Sequence, residues 1–300
     1  MKRFFALSRT THGVLDIALP GFCALLWLGK FPLWGTILLS LFTAFAAYTA
    51  IYALNDLVGI AVDREKFAGG INAGYSVEAS ALRYPLAQNA LSYRDGILWF
   101  AGWLALALAG SYLLNPAIVI ILLAAAVLEV IYCLLLKVTY LRTFVSGLVK
   151  SSGPIAAVFV VDRSPSPYLL LLILAWVFFW EIGGQNIPAD WNDTAEDRRV
   201  NAKTIPLSFG PKKAGILVLI ALGLTVITSL FLPLASPLRL GVAYPIVSAV
   251  VGFILLLIPA YQLYQGGEAR QAGALFDKAS YYPLAQLTII SIFVLLGSYL

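Results

Sequence analysis

Nine apolar stretches divide this chain, each close to the roughly twenty residues an α-helix needs to cross a bilayer's hydrocarbon core. They run over about 14–29, 33–54, 96–114, 116–136, 143–161, 167–186, 213–232, 239–263 and 281–300. Of the 300 residues, 61% are hydrophobic and 12% charged, whereas a soluble domain carries roughly 25% charged residues. The mean hydropathy is +0.88. An all-α, polytopic membrane protein follows, with 1–300 forming a single membrane domain. The first stretch is short and carries Asp16 and Pro20. Asn115-Pro116 and Ser164-Pro165-Ser166-Pro167 are short links that pair their neighbours as antiparallel hairpins. Two connections are long and polar, near 55–95 and 187–212.

Lys and Arg counts set the expected topology. With the N-terminus in the cytoplasm, sixteen of the twenty Lys and Arg residues fall inside, three (Lys30, Arg163, Arg239) outside, and Lys150 within a segment. Both long polar connections then lie on the cytoplasmic side of a cell membrane. The net charge of +5 reports this topology and gives no reason to expect a nucleic-acid partner. No small-residue cleavage site follows the basic N-terminus, so no cleavable signal peptide is expected. Cys23 and Cys133 sit in apolar segments as isolated thiols, and His12 is the only histidine, which excludes histidine-based metal sites.

Chemistry concentrates at the ends of two segments. After the sixth comes Asn186-Ile187-Pro188-Ala189-Asp190-Trp191-Asn192-Asp193-Thr194-Ala195-Glu196-Asp197-Arg198-Arg199. Asp190, Asp193 and Asp197 stand at i, i+3 and i+7, one face of a helix, with Asn186 a turn earlier. Three like charges on one face repel, and a hard cation such as Mg²⁺ removes that cost through oxygen ligands. Arg198, Arg199 and Lys203 follow, cations suited to phosphate oxygens. The plainer reading is a solvated, charge-mixed loop. After the second segment, Asn55, Asp56 and Asp63 form another cluster, with Asp56 and Asp63 two turns apart on one face. The clusters occupy equivalent positions four segments apart, the mark of a weak internal repeat.

These motifs resemble the UbiA superfamily of intramembrane prenyltransferases, which carry Asn-Asp-x-x-Asp-x-x-x-Asp after the second helix and Asp-x-x-Asp-x-x-x-Asp after the sixth. Lys203-Thr204-Ile205-Pro206 is similar to the family's Lys/Arg-Thr-Leu-Pro. Arg83-Tyr84-Pro85-Leu86 resembles its Arg-Pro-Leu, and Tyr132 to Lys137 its Tyr-x-x-x-Leu-Lys. The resemblance covers nearly the whole chain. It implies nine transmembrane helices around a central cavity, and Mg²⁺-dependent ionisation of a prenyl diphosphate with transfer to a hydrophobic or aromatic acceptor. The site residues it implies are Asp56, Asp63, Asp190, Asp193 and Asp197 for catalysis, these five with Asn55 for metal, and Asn55, Arg64, Lys137, Asn186, Arg198 and Lys203 for the diphosphate. Each of these cations also has an ordinary reading as a positive-inside residue. A terpene cyclase of the same type, and a non-catalytic lipid-binding protein or transporter, are the alternatives.

The first motif departs from the family pattern. It reads Asn55-Asp56-Leu57-Val58-Gly59-Ile60-Ala61-Val62-Asp63, with Gly59 in the place of the middle aspartate, and Gly69, Gly70 and Gly74 follow. Tyr48, Tyr52, Tyr132, Trp176, Phe178, Phe179 and Trp180 are candidate cavity walls for a carbocation or else ordinary interfacial aromatics. Asp16, Glu129, Lys150 and Glu181 lie inside apolar segments, where charge is costly and faces a partner or the bundle interior. Lys150 and Glu129 are expected to pair.

Overall fold

A computed structural model describes residues 2–8, 14–29, 32–66, 68 and 84–297. Arg9, His12, Lys30, Gly69, Gly70, Gly74 and Arg83 lie outside the described residues. Every regular element among the described residues is helical, as lipid demands, since only internal hydrogen bonds satisfy the backbone there. Among the described residues, eight helices are long and apolar enough to cross a membrane. The first expected span is shorter: a π-helical turn at Val14–Ala18 leads into Leu19–Leu28, closed by Gly29 at φ 67°.

The links behave as their residues dictate. Asn115 is extended, and its side chain caps the next helix by accepting from the Ala117 N–H at 3.0 Å while donating to the Phe159 carbonyl at 2.8 Å. Pro116 and Pro167 sit in first helical turns, where a missing N–H costs nothing.

Three helices run further than the apolar pattern. Trp34–Lys66 continues from apolar sequence through the whole first acidic cluster. Ala269–Gly297 begins twelve residues before its expected start at 281. Its polar opening turns still bury Ala272, Leu275 and Ala279, an i, i+3, i+7 stripe that packs on the core. Pro167–Trp180 passes into a buried π-helical segment, Glu181–Asn186, and then into Ile187–Asn192. Pro188 has no N–H and its ring crowds the carbonyl four residues back, a local reason for the ladder to loosen. Gly183 and Gly184 sit where neighbouring helices come closest: a Cβ would lie 2.9 Å from Ala221 Cβ and 2.8 Å from Ala279 Cβ respectively.

The main core joins the Leu19–Leu28 helix to the later helices and is fastened by neutral polar pairs. The Trp27 indole donates to the Tyr244 hydroxyl at 2.6 Å, Trp176 to Tyr282 at 3.3 Å and Trp180 to the Ala279 carbonyl at 2.9 Å. Leu38, Leu106, Ile120, Val127, Leu171 and Ile220 are exposed, the surface a lipid-facing helix presents.

Gly183→Leu is expected to cost about 1–3 kcal/mol by overpacking this junction, read as a lower unfolding temperature in detergent. Gly102→Ala, where a Cβ meets nothing within 4 Å, is the control. Equal melting of the two variants would mean the junction is not close-packed.

Candidate active site

At one end of the bundle the Trp34–Lys66 helix meets the stretch after the π segment. The carboxylates expected on one continuous helical face sit on a helix interrupted at Asp193 (φ −97°, ψ 13°), between Ile187–Asn192 and Thr194–Arg199. The break is bridged: the Asp193 N–H reaches the Ala189 carbonyl at 3.1 Å, and the Asp197 N–H the Asp193 carbonyl at 2.9 Å. Asp190 and Asp197 are buried and Asp193 is half-buried.

Two cations compensate them. Lys66 Nζ lies 2.7 Å from Asp197 Oδ1 and 3.5 Å from Asp193 Oδ2. The Arg142 guanidinium spans both Asp190 oxygens, at 3.0 and 3.3 Å, and covers the Tyr132 ring at 4.0 Å from its centroid. The Tyr132 hydroxyl accepts from Asn186 Nδ2 at 3.0 Å. Burial pushes the Asp197 carboxyl up to about 6, against the opposing pull of Lys66.

In the sequence, Lys66 and Arg142 are two of the sixteen inside Lys and Arg residues, a count that singles out neither. A signal for Lys66 existed, since it stands one turn after Asp63 on the same face. Arg142 had none: its partner lies 48 residues away. The cations expected to meet phosphate lie at the surface. Arg64 is exposed and donates to Asn89 at 3.0 Å. Lys137 is exposed and pairs with Glu65 at 2.6 Å. Arg198 and Lys203 are exposed. Arg199 donates to the Lys66 carbonyl at 3.3 Å.

In the first cluster, Asp56 and Asp63 are buried. A Cβ on Gly59 would stand 3.0 Å from Asp63 Oδ2, so Gly59 and Asp63 share a face. Leu86 of the Arg83–Leu86 stretch packs with Leu57.

A cavity of about 300 Å³ lies beside these groups, lined by Asn55 of the first motif and Asn186 of the second. Tyr48, Tyr52 and Tyr132 form part of its wall, whereas Trp176 and Trp180 are fully buried in the core instead. All four intramembrane ionisable residues line it. The expected Lys150–Glu129 pair is replaced. Lys150 binds Asp16 at 3.0 Å and Glu181 at 3.8 Å, and Glu129 accepts from Asn55 Nδ2 at 2.5 Å. Asp16 comes from the far N-terminal turn, a proximity that neighbouring segments do not reveal.

The donors suit a hard cation. Three carboxylates stand against two side-chain cations. Asp197 Oδ2 and Asn186 Oδ1 are buried and accept no hydrogen bond. Among the described residues no three acidic side chains converge as ligands of a single ion, and Mg²⁺ commonly draws its remaining ligands from substrate phosphates and water.

This is a multi-pass helical membrane protein with a charged site at one end of an intramembrane cavity. The chain belongs to the UbiA prenyltransferase family, whose model matches residues 17–288. Its fold is similar to the apo structure of a UbiA homologue from Aeropyrum pernix K1 (TM-score 0.72, 18% identity, 96% of this chain and 98% of that one). It is also similar to a UbiA homologue from Archaeoglobus fulgidus bound to GPP and Mg²⁺ (TM-score 0.70, 17% identity, 96% and 99%). A third is a digeranylgeranylglyceryl phosphate synthase (TM-score 0.67, 19% identity, 99% and 98%). No curated protein matches the chain.

Arg142→Met strands the buried Asp190 carboxylate and is expected to destabilise the protein by about 3 kcal/mol or more. Adding Asp190→Asn removes the stranded charge and recovers most of the loss. Thermal unfolding of the single and double variants checks it; a single variant as stable as wild type would mean the pair is not needed to neutralise Asp190.

Proposed function

We propose that this protein transfers an isoprenoid group from a prenyl diphosphate to a hydrophobic or aromatic acceptor within the membrane. The observation that carries the reading is the meeting of Lys66 and Arg142 with Asp190, Asp193 and Asp197 beside an intramembrane cavity. Family membership supports it, as does the fold shared with a homologue whose structure holds GPP and Mg²⁺.

Lys66 and Arg142 are the buried cations available to diphosphate oxygens. Arg64, Lys137, Arg198 and Lys203, which the family resemblance implies for the diphosphate, are exposed and remain candidates for its outer oxygens. Asp190, Asp193, Asp197 and Asn186, with Asn55, Asp56 and Asp63 of the first motif, are the residues we assign to holding Mg²⁺. The ion supplies neutralisation of the charge that develops on the leaving diphosphate. The allylic C–O bond breaks with its electron pair going to the diphosphate. Tyr48, Tyr52 and Tyr132 present aromatic faces to the resulting cation. The acceptor forms the new bond to the allylic carbon and gives up a proton. The apolar cavity excludes water, which would otherwise capture the cation. The sixteen-to-three bias of Lys and Arg supports a cell-membrane protein with this end and the N-terminus in the cytoplasm.

Two measurements test the reading. Asp193→Asn and Asp197→Asn are each expected to lower Mg²⁺-dependent diphosphate release from geranyl diphosphate by about 100-fold or more, with unfolding temperature kept within a few degrees. Near-normal turnover in both would remove these residues from the site. Gly59→Asp places a third carboxylate beside Asp63. It is expected to reduce the Mg²⁺ concentration for half-maximal activity, because one more hard oxygen raises affinity. An unchanged or higher requirement would mean that position 59 does not address the metal.

A further inference from the structure

The cavity has a second charged level. Lys150 stands eight residues into its helix from Arg142, and Glu181 nine residues before Asp190. At 1.5 Å per residue of α-helix, Lys150 lies about 12 Å deeper into the bundle than Arg142, and Glu181 meets it there. There Lys150 Nζ contacts Asp16 Oδ2 at 3.0 Å and Glu181 Oε2 at 3.8 Å, while Ser146 Oγ donates to Glu181 Oε1 at 2.6 Å. Lys150, Asp16, Glu181 and Ser146 all line the cavity.

Such a cluster is expensive at membrane depth, and a hydrocarbon chain has no use for it. If its only task were to tie three helices together, neutral pairs like Trp27–Tyr244 would do so without desolvating charge. Two details indicate a ligand instead. Its residues line the cavity wall although Asp16 and Glu181 are themselves buried. Glu181, only 4% exposed, also has one buried oxygen, Oε2, that accepts no hydrogen bond and is met only by the Lys150 ammonium at 3.8 Å. Two carboxylates share one ammonium, so the cluster does not attract a carboxylate or phosphate. It offers an acceptor to a neutral group that donates.

We infer that Glu181, held by Ser146 and Lys150, is a binding subsite for a hydroxyl of the acceptor. The acceptor class it selects is a neutral phenol or alcohol, not an aryl carboxylate or a phosphate. This rests on the transferase reading: the diphosphate sits at the Arg142 level and the acceptor's hydroxyl docks below, with the acceptor's body between them. A buried site built to receive an O–H rejects an analogue lacking it, because its acceptor is left without a hydrogen bond.

The test compares 4-hexylphenol, 4-hexylanisole and 4-hexylbenzoate binding to the purified full chain in detergent, by equilibrium dialysis. Geranyl diphosphate binding and diphosphate release are measured on the same preparation. Wild type is expected to bind the phenol at least about tenfold more tightly than the other two. Glu181→Gln, which keeps shape but loses the charged acceptor, is expected to shrink that preference to about twofold while geranyl diphosphate affinity stays. Equal binding of phenol and anisole by wild type overturns the subsite even if the variant fails to fold. So does a phenol preference that survives in a folded Glu181→Gln. A phenol preference without any diphosphate release overturns the transferase reading and leaves the hydroxyl subsite standing.

Discussion

A charge inside a lipid-embedded bundle persists only against a partner, and the site end of this protein is arranged around that requirement. Lys66 and Arg142 reach from two helices to the carboxylates of a third stretch. Without them, Asp190, Asp193 and Asp197 would be three crowded anions in a partly dry place, and the interrupted helix carrying them would be pushed apart. With them, the ends of the Trp34–Lys66 and Arg142–Val161 helices are fixed to the second motif. On the proposed reading the same cations serve twice, first as partners of carboxylates and then, once substrate and metal arrive, as partners of phosphate.

The two sides of the bundle solve the polar problem differently. Past Ala189 the chain contributes Phe276 alone to the cavity wall among the described residues. Beyond the second motif the buried polar groups among the described residues are neutral, and several satisfy one another, as in the Ser229, Ser248 and Gln286 contacts at 2.9 to 3.3 Å. The earlier helices carry the ionisable groups and open around the cavity. A packed half thus braces a chemically equipped half.

Much of this was legible in the sequence because lipid imposes a coarse rule of length and composition. Segments such as 116–136 and 143–161 are marked by that rule alone. Their ends are not, where other forces take over: Trp34–Lys66 and Ala269–Gly297 stay helical through polar sequence because one face still packs. The carboxylates were legible because clustered like charge is unusual. Lys66 and Arg142 were not, since every cation on that side fits the positive-inside rule equally and only burial separates them from Arg64 or Arg198. The Lys150–Asp16 pair was hidden for a related reason. Sequence neighbours suggest partners, but the N-terminal turn is brought in by tertiary packing.

The π-helical segment Glu181–Asn186 joins two stretches with unlike duties, an apolar span behind it and the carboxylate-bearing helices ahead. In a regular α-helix, adding or deleting one residue turns everything downstream by about 100°. A wider turn is where such a change can be taken up, by tightening or loosening one loop of backbone. The membrane anchor and the metal-facing side chains are therefore geared through a slip joint rather than a rigid shaft. Engineering that adjusts the reach of Asp190, Asp193 and Asp197 has a natural place to cut, at a point that leaves the lipid-facing surface of Pro167–Trp180 as it is.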